Sequence, residues 1–504
     1  MRKLNSIKNF ITTILPYAVI TILGFLKVPA FVNNLGDELY SVNQVFFQLL
    51  TYLSLAEAGI GIISNQKYFK LFVDDDKKGI NRIYTASKLF LKRVGIFMLI
   101  IGFIISFGLK AITNNSLSLT YLQIVFMIFL VKNVIDYFMS APRNVIQSDQ
   151  KSYKINFWVN LVRILENGIE IVLLYLKVDY LIILIPGIFI RIIINMIINK
   201  KVFKEYPWLQ EVDNPDKSIF ANAKHFIIYR ISTIVYNNID LLIISSFLDP
   251  AFVVMYSGYN YIVKTLADVL GMISQAIGAS LGNAINELEN KENRVVFEKL
   301  NCAHAAFSMF CTICFIILID KFICIWIGEE NQISLIGVIL FALSLYNLIY
   351  SKNFIGVVEV KGWFKQTRNI AVAESIVNLV LSLVLVHYLG IVGVLLATVI
   401  ATLTTSFIFY PTYVYKHQYN ERPGKYYLHF TIDLIFTALV SVGGLYVIRG
   451  IEISNFFIWA VAAIICAIAT IVLVLVEKYI TNSDFKLLLQ DIKDLFKSRN
   501  SKQI

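Results

Sequence analysis

The apolar stretch 155–176 carries three charges, Arg163, Glu166 and Glu170, with Asn160 and Asn167 beside them. Offsets of three and seven put the charges on one helix face. The stretch is one of about fourteen apolar segments, each near the roughly 20 residues that cross a bilayer. At mid-bilayer an Arg, Lys or Asp costs about 2.5–3.5 kcal/mol, so three charges facing lipid would cost on the order of 8–10 kcal/mol. This face must therefore meet a water-filled cavity or an interhelical polar network. The chemistry open to it is electrostatic: a guanidinium that holds an anion, or carboxylates that take up a coupling ion.

Four further cations, Lys132, Arg191, Arg230 and Lys264, lie inside apolar stretches, where basic side chains are rare and line pathways or pair with acids. Arg163 with Glu166, Lys132 with Asp136 and Lys264 with Asp268 have the spacing of intrahelical ion pairs. Each of these cations is either a structural partner or, facing a cavity, a ligand for an anion. Arg191 and Arg230 have no acid three or four residues away. Each needs an interhelical partner, an anionic ligand or a snorkelling path to the interface. Arg230 stands a few residues into its stretch, where snorkelling serves as well as a ligand. Arg191 sits about half a span deep and is the strongest single candidate for an anionic headgroup.

Among the acids, Glu166 and Glu170 lie four apart on one face, an arrangement suited to a coupling proton, with Arg163 opposing it. Asp240, preceded by Asn237 and Asn238, and Glu374, one turn before Asn378, are further ion-coupling candidates for a proton or sodium, weighed against structural hydrogen bonding. Glu57 reads as interfacial. Tyr256, Tyr259 and Tyr261 open a span and read as aromatic-belt residues, with stacking on sugars as the functional alternative. Pro16 and Pro186-Gly187 are candidate helix kinks.

Composition supplies the scaffold. The 504 residues are 57% hydrophobic and 16% charged, too apolar for a soluble protein of this length. The expected spans are 7–26, 40–64, 90–109, 118–139, 155–176, 180–198, 226–248, 252–281, 302–319, 333–351, 370–387, 390–410, 428–448 and 454–476. Of 45 basic residues, 35 then fall in the N-terminal segment, alternate loops and tail, against five (Lys27, Lys110, Lys177, Lys321, Arg449) in the opposite loops. By the positive-inside rule both termini are cytoplasmic. The net charge of +11 meets anionic lipid in the cytoplasmic loops and is no nucleic-acid signal. The start, Met-Arg-Lys before an apolar run, reads as an uncleaved signal anchor.

The outer connections are short, with Lys27–Leu39 and Asp320–Gln332 longest at about a dozen residues. They leave no room for a receptor ectodomain or an external catalytic loop. The expected organisation is a six-helix lobe at 1–198, a cytoplasmic linker at 199–225, a second six-helix lobe at 226–410, two extra helices within 428–476 and a cytoplasmic amphipathic tail at 477–504. Phe31 and Tyr40-Ser41 recur as Phe247 and Tyr256-Ser257 at an offset of 216 residues, as two parallel repeats require. In the tail, Phe485, Leu488, Leu489, Ile492, Leu495 and Phe496 share one helix face, while Lys486, Lys493, Lys497 and Arg499 lie elsewhere. A helix on the membrane surface fits this pattern, with a partner-binding helix as the alternative.

No nucleotide-binding P-loop, H-E-x-x-H, nucleophile elbow or cysteine–histidine cluster is present. The lone C-x-x-C, Cys311 and Cys314, lies within a span without a second ligand pair and reads as apolar packing. No catalytic residue, metal or cofactor is expected beyond the coupling ion, and the chain does not read as an enzyme.

Four stretches resemble the Wzx-type polysaccharide flippases of the multidrug/oligosaccharidyl-lipid/polysaccharide (MOP) exporter superfamily. They are VPAFVNNLGDELYSVNQVFFQLLTYLSLAEAGIG (Val28 to Gly61), IDLLIISSFLDPAFVVMYSGYNYI (Ile239 to Ile262), FICIWIG (Phe322 to Gly328) and GWFKQTRNIAVAESIVNLVLSLVLVHYLGIVGVLLATVI (Gly362 to Ile400). Ser41 and Ala397 stand where glycine is frequent in that family. The resemblance implies an all-α integral membrane protein of about 14 transmembrane helices, two six-helix lobes like those of MATE transporters, plus two C-terminal helices. It implies flipping of undecaprenyl-diphosphate-linked oligosaccharide to the outer leaflet of a bacterial cytoplasmic membrane by alternating access, driven by a proton or sodium gradient. Polysaccharide polymerase and glycosyltransferases would be its partners. Arg163, Arg191, Arg230 and Lys264 would supply the positive charge that a diphosphate needs. The alternatives are another MOP exporter, lipid II-type or multidrug, and a membrane glycan polymerase or ligase.

Overall fold

Long apolar runs can satisfy their backbone polar groups in a bilayer only as helices or closed barrels, and this chain takes the helical solution. A computed structural model describes residues 2–57, 60–216, 224–287 and 290–500, among which every regular element is helical. The contacts divide the chain into two units, Met1–Val254 and Met255–Ile504. The first holds α1 (Arg2–Leu53), α2 (Ile60–Val73), α3 (Lys77–Ser106), α4 (Leu109–Ile112), α5 (Leu119–Met139), α6 (Ala141–Ser148), α7 (Asn156–Tyr175), α8 (Tyr180–Glu205) and α9 (Lys224–Phe247). After α10 (Pro250–Glu287), which crosses the division, the second holds α11 (Asn290–Ile327), α12 (Leu335–Tyr350), α13 (Lys352–Lys361), α14 (Phe364–Thr404), α15 (Ser406–Val414), α16 (Gly424–Arg449), α17 (Phe456–Thr481) and α18 (Ser483–Asn500). Most expected spans fall on one of these helices, whereas 40–64 begins on α1 and ends on α2, and 390–410 begins on α14 and ends on α15. Several starts are capped by side chains of the residue types that favour this position: Asp76 accepts from Gly79 N, Ser118 from Tyr121 N and Asp179 from Leu181 N.

Two expected loops are instead glycine kinks. The apolar helix Ile14–Leu53 has 40 residues, about 60 Å at 1.5 Å per residue, or two crossings of a ~30 Å core. It breaks at Gly36, with φ 80° and ψ 172°, and α14 breaks likewise at Gly390, with φ 56° and ψ −135°. The expected loop 27–39 is thus helical on both sides of a one-residue break, and Lys27 lies within α1 rather than in an outer loop. Helix α11 likewise continues past Asp320 to Ile327, which shortens the other long outer connection. Pro16 and Pro186 stay in helical backbone, so the breaks fall at glycines and not at prolines. Nothing lies within 4 Å of a Cβ built at Gly36, so backbone angle alone demands glycine there. Gly36→Ala is expected to cost about 1–3 kcal/mol, read as a lower melting temperature of the detergent-purified protein. A variant that melts with the parent would show that another residue sets the kink.

The kink is held by packing. Phe31 meets Tyr40 edge-on across it, with centroids 5.5 Å apart, and Tyr180 of α8 at 5.2 Å. The Tyr180 hydroxyl donates to Asn43 Oδ1 at 2.9 Å. Helix α9 packs in the first unit, where Ser245 Oγ donates to Ile112 O at 3.0 Å. The described part of the expected linker is docked on α3: Asn81 donates to Trp208 O and accepts from Gln210 N, Thr85 Oγ1 accepts from Val212 N, and Arg82 donates to Asn214 O.

In the second unit, Tyr259 is fully buried rather than at a membrane edge. Its hydroxyl donates to Asp320 Oδ1 at 2.9 Å and accepts from Ile333 N at 3.2 Å. Tyr256 is buried beside it, and both rings pack on Phe341. These two tyrosines are core residues, because the start of α10 is covered by α11 and α12. Helix α18 is tied back to its own unit by Lys299–Asp491 at 2.5 Å and Lys425–Asp484 at 3.7 Å, with Phe485 buried. The side chains of the expected apolar face from Ile492 onward lie outside the described residues.

Candidate functional site

The charged face of α7 opens on a cavity of about 470 Å³ inside the first unit. Five cations line it: Lys27 from α1, Lys132 from α5, Arg143 from α6, Arg163 from α7 and Arg191 from α8. Three carboxylates join them, Asp136, Glu166 and Glu170, which leaves a formal excess of two positive charges. Val159, Val162, Leu50, Phe47 and Phe129 form the apolar part of the wall.

The ion pairs run between helices, not along them. Arg191 donates from Nε to Glu166 Oε1 at 2.6 Å and from Nη2 to Oε2 at 2.9 Å, a bidentate pair, while its Nη1 meets Asp136 Oδ2 at 2.5 Å. Lys132 lies 3.3 Å from Glu170 Oε1 and 3.9 Å from Glu166 Oε1. Lys27 completes the row on Glu170. At the other end Asn195 donates to Asp136 Oδ1 at 2.8 Å and accepts from Arg143 Nη2 at 2.6 Å. The intrahelical pairs expected for Arg163 with Glu166 and Lys132 with Asp136 therefore give way to partners on α8 and α7. A neighbouring helix can bring a carboxylate head-on to a guanidinium fork, whereas one turn of a helix cannot offer that geometry. Arg191, the leading ligand candidate, is accordingly held by two carboxylates. Gly187 leaves the space that Lys132 fills: a Cβ there would stand 2.5 Å from Nζ.

The remaining candidates lie apart from this cavity. Arg230 is exposed on α9 and Lys264 on α10, and neither is among its lining residues. Asp240 is buried on α9, within electrostatic reach of Tyr52. In the second unit Glu374 is buried and accepts from Ser406 Oγ at 2.5 Å, and Asn378, one turn on, donates to Thr398 Oγ1 at 2.8 Å. This cluster is rich in oxygen and holds the carboxylate with neutral partners. Among the described residues no group of three His, Cys, Asp or Glu is placed to bind a metal, and the five cysteines are free thiols.

Lys27 and Arg143 are cavity residues that spacing did not single out. Lys27 ends the apolar run and is followed by Pro29, Asn33 and Asn34, which read as a loop, whereas the backbone stays helical up to Gly36. Arg143 follows Pro142 in the Ala-Pro-Arg start of α6, but only the packing of α6 on α8 brings it to the site.

No family model and no curated protein matches the sequence. Solved structures do match. One described as the lipid II flippase MurJ, in an inward closed conformation, is 16% identical with a TM-score of 0.65, covering 94% of this chain and 97% of that one. An inward-facing multidrug resistance MATE family transporter of the MOP superfamily is 14% identical with a TM-score of 0.60, over 79% of this chain and 96% of that one. A MOP superfamily transporter from Pyrococcus furiosus, described as having a binding pocket of reverse polarity, is 13% identical with a TM-score of 0.57, over 81% and 94%. With its apolar helices, this likeness establishes a multi-pass, all-α membrane protein with the fold shared by MurJ and the MATE transporters of the MOP superfamily.

Proposed function

We propose that this protein flips undecaprenyl-diphosphate-linked oligosaccharide repeat units from the inner to the outer leaflet of the cytoplasmic membrane by alternating access, for cell-surface polysaccharide synthesis. The observation that carries the reading is a cavity within a membrane-spanning unit whose lining has two more cations than carboxylates. Positive charge at that depth is costly unless an anion meets it, and a lipid-linked diphosphate is an anion that must cross there. Arg163 and Arg191 stand in this cavity. The flanking apolar wall suits the nonpolar neighbourhood of a lipid headgroup.

Coverage supports a lipid substrate over a drug. The MurJ structure covers 94% of this chain and the MATE family transporter 79%, so the chain is of flippase length. Coupling to a proton or sodium gradient falls best to Glu374, held by the Ser406 hydroxyl, and to Asp240. Glu166 and Glu170 are already matched by Arg191, Lys132 and Lys27 and would have to give up those partners. The excess of Lys and Arg in alternate loops supports a topology with both termini in the cytoplasm.

Deleting the gene is expected to leave lipid-linked oligosaccharide on the cytoplasmic face and to abolish the surface polymer. Normal surface glycan in a deletion strain without a substituting transporter overturns the reading. The MurJ likeness favours one second reading, a lipid II-type flippase. In that case the deletion would instead accumulate lipid II and arrest wall growth.

A further inference from the structure

In the second unit a buried charge cluster leaves one negative charge unmatched. Asp433 of α16 and Lys478 of α17 are 0% exposed, and Glu477 of α17 is 6% exposed. Lys478 is bonded to Asp433 Oδ2 and lies 3.9 Å from Glu477 Oε2, and among the described residues no other lysine or arginine pairs with either acid. Tyr350 of α12 also donates to Asp433 Oδ2, at 2.8 Å, and Thr481 Oγ1 donates to Glu477 Oε1, also at 2.8 Å. One oxygen of each carboxyl group is left over: Asp433 Oδ1 and Glu477 Oε2 are buried with no hydrogen-bond partner. The two side chains are within hydrogen-bonding reach of each other. Two ionised carboxylates on one ammonium would leave a net negative charge in this buried site, and two acceptors with nothing to donate to them.

We propose that Asp433 and Glu477 form a proton-binding site, in which one proton is shared between Asp433 Oδ1 and Glu477 Oε2. The proton answers both faults at once. It leaves one carboxylate charge against one ammonium, and it supplies the donor that the two oxygens lack; carboxyl groups this close do not both ionise readily. A hard metal cation fits less well, because it takes several oxygen ligands and two oxygens are left over here, with an ammonium already beside them. Cys302 of α11, Tyr346 and Tyr350 of α12 and His429 of α16 stand within electrostatic reach of the pair, with the Lys425–Asp484 ion pair beyond His429. A cavity of about 20 Å³, room for one water, is lined in part by Lys425, His429, Asp484 and Tyr350. Lys425 is exposed, so this cavity leads from the surface toward Tyr350, whose hydroxyl bonds Asp433. The packing of α16 on α17 and α12 is tightest with the proton bound. The site does not depend on the flippase reading.

The test uses the full chain in lipid nanodiscs and infrared spectroscopy at neutral pH, where the C=O stretch of a protonated carboxyl group stands apart from the carboxylate bands. Glu477→Gln and Asp433→Asn are each expected to lose a protonated-carboxyl band equal to one group per chain. Glu477→Gln is also expected to melt close to the parent, since its amide can donate to Asp433 Oδ1 as the shared proton does. It therefore reads the band in a folded protein even if Asp433→Asn, which loosens the hold on Lys478, is unstable. The parent's band is expected to stay when sodium chloride replaces choline chloride. Three results overturn the proposal: a band retained in either folded variant, its loss from the parent in sodium chloride, or a large rise in the melting temperature of Glu477→Gln. The last is the mark of relieved repulsion between two ionised carboxylates.

Discussion

Replacing Lys478 with methionine lowers the stability of the protein by about 3–5 kcal/mol, the expected penalty for stripping one partner from a buried ion pair. Lys478 of α17 and Asp433 of α16 are both fully buried and bonded to each other. Tyr350 of α12 donates to the same carboxylate oxygen at 2.8 Å. These bonds join the two C-terminal helices to the rest of their unit, with Trp459 Nε1 donating to Leu318 O at 3.2 Å as a second tie. Without the ammonium, Asp433 keeps the Tyr350 hydroxyl, and the buried Glu477 carboxylate, 3.9 Å from Lys478 Nζ, loses the same cation. The double variant Lys478→Met, Asp433→Leu removes both charges and should recover most of the loss, since a buried pair replaced by apolar groups of similar volume is often neutral or better. Thermal unfolding of the two singles and the double gives the coupling directly. A Lys478→Met protein as stable as the parent, or a double variant worse than both singles, would contradict this account of the pair.

Arg191→Ala is expected to damage the fold before it damages anion binding. Its guanidinium makes three contacts, two to Glu166 and one to Asp136. Removal leaves both carboxylates facing a cavity wall, with Lys132 at 3.9 Å the remaining cation near Glu166. The site is partly open, so a cost of about 2–3 kcal/mol fits, below that of a fully buried pair. Arg191→Lys should recover only part of it, because an ammonium cannot form the bidentate fork and reach Asp136 as well. Melting temperatures and diphosphate titration of the same preparations decide between the two roles. A normal melting temperature with diphosphate binding lost would return Arg191 to the ligand, contrary to the geometry.

The contrast between these residues shows what spacing along a chain can and cannot tell. Arg163 and Glu166 have the offset of an ion pair, yet Glu166 is taken by Arg191 from the next helix. Arg191 has no acid near it in sequence, which makes it the leading ligand candidate by spacing, yet carboxylates of two other helices hold it. Spacing rules describe a helix by itself, while a bundle offers each charge several other helices, and the best donor geometry wins. Asp433 lies inside an expected span and Lys478 in the expected tail, and spacing rules cannot pair residues 45 positions apart. The tyrosines at the start of α10 went the other way. Their place at a span's end suggested a membrane belt, and the packing of α11 and α12 buried two of them.

The sequence by itself determined that this chain crosses a membrane many times as helices, roughly where most of those helices lie, and that α7 must face something polar. Each follows from a cost paid locally: backbone groups with no water to bond, and charges with no water around them. Only the tertiary structure decided which helices turn toward that face, that Lys27 and Arg143 join it, and which cations are answered by carboxylates. That selection depends on the Gly36 kink, the slot at Gly187 and the crossing of α7 with α8. Whether a given guanidinium is satisfied depends on distances of a few ångströms between segments far apart in the chain.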